Sequence, residues 1–203
     1  MNIAGARRSF LLLLTFLFCV TVVTPAEAQL FGRRKPMRQA RELIGRQEGP
    51  KVFGFVEPLI TSGNSRVLIS LSKQRAYVMT GDQVYIDTPI SSGKKTGSTP
   101  TGTFTVLEKD PDHRSSIYGD FVDRGGRVVR SGISLKVDSA PSGTRYVGAP
   151  MRWFMRLTWS GVGMHIGVLP GYPASHGCVR LPSNIAKLIY DKVRFGTPVT
   201  IEP

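Results

Sequence analysis

The chain has 203 residues, 41% of them hydrophobic and 20% charged, with 22 glycines and 14 prolines. Such a composition excludes general disorder and leaves room for one turn-rich domain with extensions. The net charge of +13 points to polyanionic surroundings: nucleic acid, anionic lipid or acidic wall polymer.

Residues 1–28 read as a signal peptide. Arg7 and Arg8 form a basic start, Phe10 to Val23 an apolar run, and Ala26-Glu27-Ala28 a small-x-small cleavage site. That run falls short of the ~20 apolar residues of a membrane span. Arg7-Arg8-Ser9-Phe10-Leu11 also fits twin-arginine export, whereas the leucine-rich run fits the general secretory route. Removing Arg7, Arg8 and Glu27 with the signal leaves a charge of about +12. An exported chain of that charge, in the periplasm or cell envelope, meets an anionic wall or lipid and no nucleic acid. Cys19 leaves with the signal, so Cys178 is the one remaining thiol and no internal disulfide forms.

Residues 29–65 read as a basic linker carrying Arg33, Arg34, Lys35, Arg38, Arg41, Arg46 and Lys51. Met37, Ala40, Leu43 and Ile44 have helical spacing, with Gly45 as a stop. This segment serves either as an electrostatic tether or as a solvated spacer, and the shortness of the pattern favours the spacer.

From Arg66 the texture changes to short β-prone runs: Val67–Leu71, Ala76–Met79, Gln83–Ile86 and Thr103–Leu107. Without long alternating helices, these predict a mainly β fold with one supporting helix over residues 66–203. The stretch from Gly93 to Gly102 has glycines and lysines but not the order of a phosphate loop, so it is expected to be a hairpin connection. Residues 108–150 carry turn signals at Pro111-Asp112 and Gly125-Gly126 and fit a flap beside a groove. His113, among charged neighbours, is expected to be an exposed loop histidine. Met151 to Trp159 alternates, placing Trp153, Met155, Leu157 and Trp159 on a core face and Arg152 and Arg156 on the other. Gly161-Val162-Gly163 then turns a hairpin that delivers His165 on its second strand. Ser183 to Val193 predicts the helix, with Ser183 capping it and Gly196 stopping it, before a closing strand at Thr197–Ile201.

The chemistry gathers in Ser175-His176-Gly177-Cys178-Val179-Arg180 and in His165 upstream. A thiol is a weak nucleophile until a base removes its proton, so Cys178 with a histidine in reach is a minimal set for covalent catalysis. Gly177 lets neighbouring amides turn towards a reacting carbonyl. His165, His176 and Cys178 are also zinc-ligand types, but no H-E-x-x-H or C-x-x-C spacing and no nearby acid accompany them. No metal or cofactor is therefore expected. A papain-like order is excluded because His165 precedes Cys178.

This stretch resembles the signature of the L,D-transpeptidase (YkuD-type) catalytic domain: a histidine, a variable loop, then S/T-H-G-C, an apolar residue and Asn or Arg. Ile69–Tyr77 is similar to that family's opening strand, and Ser92-Gly93-Lys94 with Thr99-Pro100-Thr101-Gly102-Thr103-Phe104 to its "GK…TPTGTF" segment. The resemblance spans roughly residues 66–202 and implies a β-sandwich of mixed sheets. It implies Cys178 as nucleophile and His165 as general base and acid, the imidazole oriented by a backbone carbonyl because Ile166 offers no polar side chain. His176 is the runner-up base, and with Ser175 and Gly177 it shapes the site; the Gly177 and Cys178 amides are the expected oxyanion donors. Arg180 and Arg156 are the expected partners of substrate carboxylates. The nine residues between His165 and Ser175 are fewer than in many members, implying a trimmed lid. The substrates implied are peptidoglycan stem peptides, with a second stem or a wall-linked protein as acceptor. The alternatives are a carboxypeptidase using the same site and a wall-binding module without catalysis. Acylation by carbapenems is expected as well.

Overall fold

The computed structural model describes residues 47–203. The expected signal peptide at 1–28, the helical spacing of Met37–Ile44 and the lipid or wall tether of the basic tail lie outside the described residues. No described helix is long and apolar enough to cross a membrane.

The first sheet begins with β1 (Lys51–Val52), β2 (Ser65–Ser70), β3 (Arg75–Thr80) and β4 (Gln83–Pro89). Alternation in β2 and β3 turns Val67, Ile69, Ala76 and Val78 inward, each no more than 2% exposed. With β5 (Gly102–Thr105) and the closing β13 (Pro198–Glu202), the order is β1-β4-β3-β2-β13-β5. The β2–β13 pair is parallel and the others antiparallel, so the sheet is mixed.

The second sheet, β12-β11-β10-β6, uses β6 (Glu108–Asp110), β10 (Phe154–Arg156), β11 (Gly163–Ile166) and β12 (Val179–Leu181). Its inward residues Met155, Met164, Val179 and Leu181 join Val67, Ile69 and Ile201 of the first sheet in one apolar core. Helix α1 (Ser183–Lys192) adds Ile185, Ala186 and Ile189 to that core. Full burial of each such aliphatic side chain contributes about 1.5–3 kcal/mol. A third sheet, β8-β7-β9, is built from β7 (Arg114–Val122), β8 (Val128–Ser134) and β9 (Arg145–Pro150) and buries Phe121, Val122 and Ile133. The mainly β architecture of mixed sheets with a supporting helix is thus present.

Four expectations change. Lys51 and Val52 pair with Asp87 and Ile86, and Val56 and Ile60 enter the core, so the folded unit starts inside the segment read as linker to 65. The segment from Gly93 to Gly102 is no hairpin, because β4 and β5 lie far apart in the sheet; it is a crossover running past the thiol turn. The alternation over 151–159 holds only in part: Met155 and Leu157 are buried as expected, but Trp153 takes φ +56 just before the strand, Phe154 is buried as well, and Trp159 is 79% exposed. Finally, Pro182, not Ser183, occupies the helix cap position, with extended backbone and no side-chain cap. Proline has no N–H to leave unpaired there, and its φ of −62 suits the entry. The helix ends at Lys192, before Gly196, which turns the chain into β13.

Candidate active site

Strands β11 and β12 run parallel, with His165 opposite Arg180 and Met164 opposite Val179. Cys178 immediately precedes β12, so the pairing of two strands brings histidine and thiol to one end of the second sheet. The turn before Cys178 is held by the crossover from β4. Ala174 and Ser175 N–H groups donate to the Ser92 carbonyl at 3.0 and 2.9 Å, and Lys94 N–H donates to the Ser175 carbonyl at 2.9 Å. The Ser175 hydroxyl donates to the Cys178 carbonyl at 2.5 Å and accepts from Gly177 N–H at 3.0 Å. Thr99 Oγ1 donates to the Gly177 carbonyl at 2.7 Å and accepts from Gly93 N–H at 2.8 Å. Glycine is required at 177 twice over: φ is +150, and a Cβ would sit 2.8 Å from the Ser98 carbonyl oxygen. Thr99 is therefore a positioning residue that sequence reasoning placed only in a resembling segment.

His165 is 8% exposed, and its Nδ1 lies 2.6 Å from the Ile166 carbonyl oxygen. A carbonyl only accepts, so Nδ1 carries the proton and donates; Nε2 is left with its lone pair free. Burial pushes the imidazole pKa down to about 4, outweighing the carbonyl that favours the charged form; Arg180 and His113 push the same way as burial. Burial likewise pushes the Cys178 thiol up, against smaller opposing effects of the Gly163 N–H, Arg180 and Arg156. The thiol donates to the Gly161 carbonyl at 3.5 Å and is not hydrogen-bonded to His165. Both groups are consequently neutral near pH 7, and both line one cleft of about 680 Å³. Apo sites commonly tighten such contacts only once substrate is bound.

The His165 shift carries a stability consequence. Unfolded histidine titrates near 6.5 and the folded one near 4, so the unfolded chain binds more protons between those values. Stability from this group is full above the unfolded pKa and is lost as pH falls towards 4. On going from pH 7 to pH 4.5 the loss is about 2 kcal/mol. Urea unfolding of wild type and His165→Gln at both pH values checks this: the variant should lose less than the wild type by about that amount.

The other expected site residues are distributed unevenly. His176 is exposed, and its ring stacks on Tyr118 of β7 at 4.2 Å and 11°. It ties the thiol turn to the third sheet, which walls the cleft. The cover that a short 166–174 loop does not supply thus comes from β7 and β9. Arg180 is half-buried, its stem lying over Gly167, where a Cβ would meet Arg180 Cγ at 2.6 Å. Arg156 lines the cleft but is already paired: its Nε lies 2.5 Å from Glu108 Oε2 and its guanidinium over Phe154. The expectation that Arg156 is free for substrate is corrected by that pair. Gly177 N–H is likewise occupied by Ser175, leaving the Cys178 N–H as the available oxyanion donor of the two.

His113 is not the exposed loop residue expected. It lines the cleft, stacks on Phe154 at 4.2 Å, and places Nδ1 3.1 Å from Asp110 Oδ2. Antiparallel pairing of Phe154 with Asp110 brings it there, a contact with no local signal in the sequence. Among the described residues, Glu108, Asp110 and His113 form the one group whose donor atoms lie within 4.8 Å of one another. Arg156 occupies Glu108 there, which disfavours a cation. The zinc set weighed from sequence, His165, His176 and Cys178, is not that group.

A neutral thiol just before β12 and a buried, carbonyl-oriented imidazole on the parallel neighbour β11 define a cysteine–histidine site on a mixed β scaffold. The model of the L,D-transpeptidase catalytic domain (YkuD) matches residues 64–201, and the chain belongs to that family. Among solved structures, the chain is similar to an L,D-transpeptidase from Mycobacterium smegmatis at 26% identity and TM-score 0.52, covering 69% of this chain and 59% of that one. The avibactam carbamoyl enzyme of Ldtfm is 25% identical with TM-score 0.50, covering 69% and 49%. An L,D-transpeptidase from Xylanimonas cellulosilytica is 23% identical with TM-score 0.50, covering 70% and 61%. The match thus spans about half to three fifths of those relatives. No curated protein matches the chain.

Proposed function

We propose that the protein is an exported cysteine transpeptidase acting on peptidoglycan stem peptides. The observation that carries this reading is His165, fixed through Nδ1 with Nε2 free, in the same cleft as Cys178. His165 Nε2 takes the thiol proton as sulfur attacks the carbonyl preceding the terminal D-amino acid of a tetrapeptide stem. The tetrahedral oxyanion accepts a hydrogen bond from the Cys178 N–H. The imidazolium then returns the proton to the departing amine, the C–N bond breaks and a thioester remains. An amine from a neighbouring stem or a wall-linked protein gives its proton to His165 and attacks the thioester, and the thiolate leaves and is reprotonated. Water in place of the amine makes the same site a carboxypeptidase. Arg180, half-buried beside the thiol and without a carboxylate partner among the described residues, suits the terminal carboxylate of the leaving D-amino acid. The basic charge of the chain suits retention on an anionic wall in the periplasm or envelope.

Incubation with a defined tetrapeptide muropeptide and a supplied amine, followed by mass analysis, tests the reading. The expected products are the free D-amino acid and a stem–amine conjugate. Release of the D-amino acid with only a free tripeptide stem assigns the carboxypeptidase, and unaltered muropeptide rejects both.

A further inference from the structure

Among the described residues the cleft lining contains no aspartate or glutamate, while three of its residues are fixed cations: Lys136, Arg156 and Arg180. Arg156 is neutralised by Glu108. Arg180 has no carboxylate partner among the described residues; its guanidinium reaches only the Val168 carbonyl, at 3.4 Å. Lys136 is in no ion pair of the described residues either. The carboxylate two positions on, Asp138, is taken by Arg130 at 2.5 Å and by Ser134 N–H at 2.8 Å.

Lys136 is exposed, but its backbone is pinned. Leu135 N–H donates to the Ile117 carbonyl of β7 at 2.9 Å, tying the turn to that strand, and Val137 N–H closes the turn on the Ser134 carbonyl at 3.0 Å. The Tyr118–His176 stack in turn fixes β7 against the thiol turn that carries Arg180. Two cations without an ion-pair partner among the described residues therefore line one cleft, Arg180 from β12 and Lys136 from the turn after β8.

On the proposed reaction, Arg180 lies next but one to the nucleophile and is matched to the carboxylate beyond the scissile amide. A second cation lining the same cleft suits a second anionic group of the donor, in the part of the stem that stays on the enzyme. We propose that Lys136 is a specificity residue that reads an interior free carboxylate of the donor stem, so that stems amidated at that carboxylate are poorer substrates. An amide is neutral and cannot accept from the ammonium as strongly as a carboxylate does. This inference rests on the transpeptidase reading.

The test uses the full chain and two tetrapeptide stems that differ only in one interior carboxylate, free or converted to the primary amide. Initial rates are measured for wild type, Lys136→Gln and Lys136→Arg, at low and at high sodium chloride. The expected result is a wild-type preference of about tenfold in kcat/KM for the free acid, residing in KM. Lys136→Gln should collapse the ratio towards one and Lys136→Arg should restore it. High salt should compress the wild-type ratio, because an exposed ammonium is screened. Equal turnover of both stems by wild type, or an unchanged ratio in Lys136→Gln, overturns the inference and leaves the transpeptidase standing. A loss in Lys136→Gln that is the same on both stems overturns it too. No turnover of either stem by wild type overturns both readings together.

Discussion

Cys178→Ala should lower product formation on a tetrapeptide stem by at least about 10⁴-fold, to the level of the stem in buffer. Removing a covalent nucleophile takes out the step on which every later one depends, and comparable deletions in nucleophilic hydrolases cost about 10⁴–10⁶. The substitution is mild for the fold. Cys178 is half-buried, precedes β12 without belonging to it, and among the described residues makes one side-chain hydrogen bond, to Gly161. Ser175 and Thr99 hold the turn through backbone atoms that alanine keeps. An unchanged melting transition with vanished activity is therefore the expected pair of results. The same variant separates the enzyme from a wall-binding module, since wall retention needs no sulfur and would survive. Intact-mass analysis gives an independent reading: incubation with a carbapenem should add one acyl group to the wild type and none to Cys178→Ala. Product formation by the alanine variant at wild-type rate would reject the acyl-enzyme.

How much of this was readable beforehand depends on whether the information is contiguous. Ser175–Arg180 and His165 stood out because their chemistry is written into a short segment and one upstream residue. The β-prone runs of β2 and β3 around their polar turn were equally local, although their buried face, Val67, Ile69, Ala76 and Val78, shows only in the structure because Leu68 and Tyr77 are apolar too. What failed was information held by pairings between distant strands. Arg156 looked free because nothing near it is acidic; Glu108, 48 residues away, meets it only when β6 joins β10. The same pairing moved His113 from an expected loop to the cleft wall. Turn residues between β4 and β5 predicted a reversal, but they carry no signal for the edge at which the next strand joins the sheet. Gly93–Gly102 consequently spans the fold and locks the thiol turn through Thr99. At Trp153 local alternation was only part of the answer: Met155 and Leu157 are buried as the pattern expects, but beside the positive φ of Trp153 Phe154 is buried as well, and Trp159 is exposed.

Replacing His165 by alanine should reduce kcat/KM by about 10²–10⁴ while barely changing the rate at which free enzyme is alkylated by iodoacetamide. The difference follows from the resting protonation. The imidazole titrates near 4 and burial holds the thiol above its ordinary value, so between those limits the site is thiol plus neutral imidazole, not thiolate plus imidazolium. The thiol proton points to the Gly161 carbonyl at 3.5 Å, consistent with that state. Alkylation needs thiolate and no proton acceptor at the transition state, so its rate should rise about tenfold per pH unit from 6.5 to 8.5, with no plateau, in wild type and variant alike. Acyl transfer needs a base that takes the proton as sulfur attacks. Its kcat/KM should therefore stay level from about pH 5 to pH 8 and fall only as His165 protonates near 4. A preformed ion pair makes the opposite forecasts: an alkylation plateau beginning below pH 7, and its loss in His165→Ala. A plateau in the wild type at pH 5–6 would show that the proton has already moved before substrate arrives, and that Cys178 is activated by an ion pair with the imidazolium instead of by base catalysis during attack.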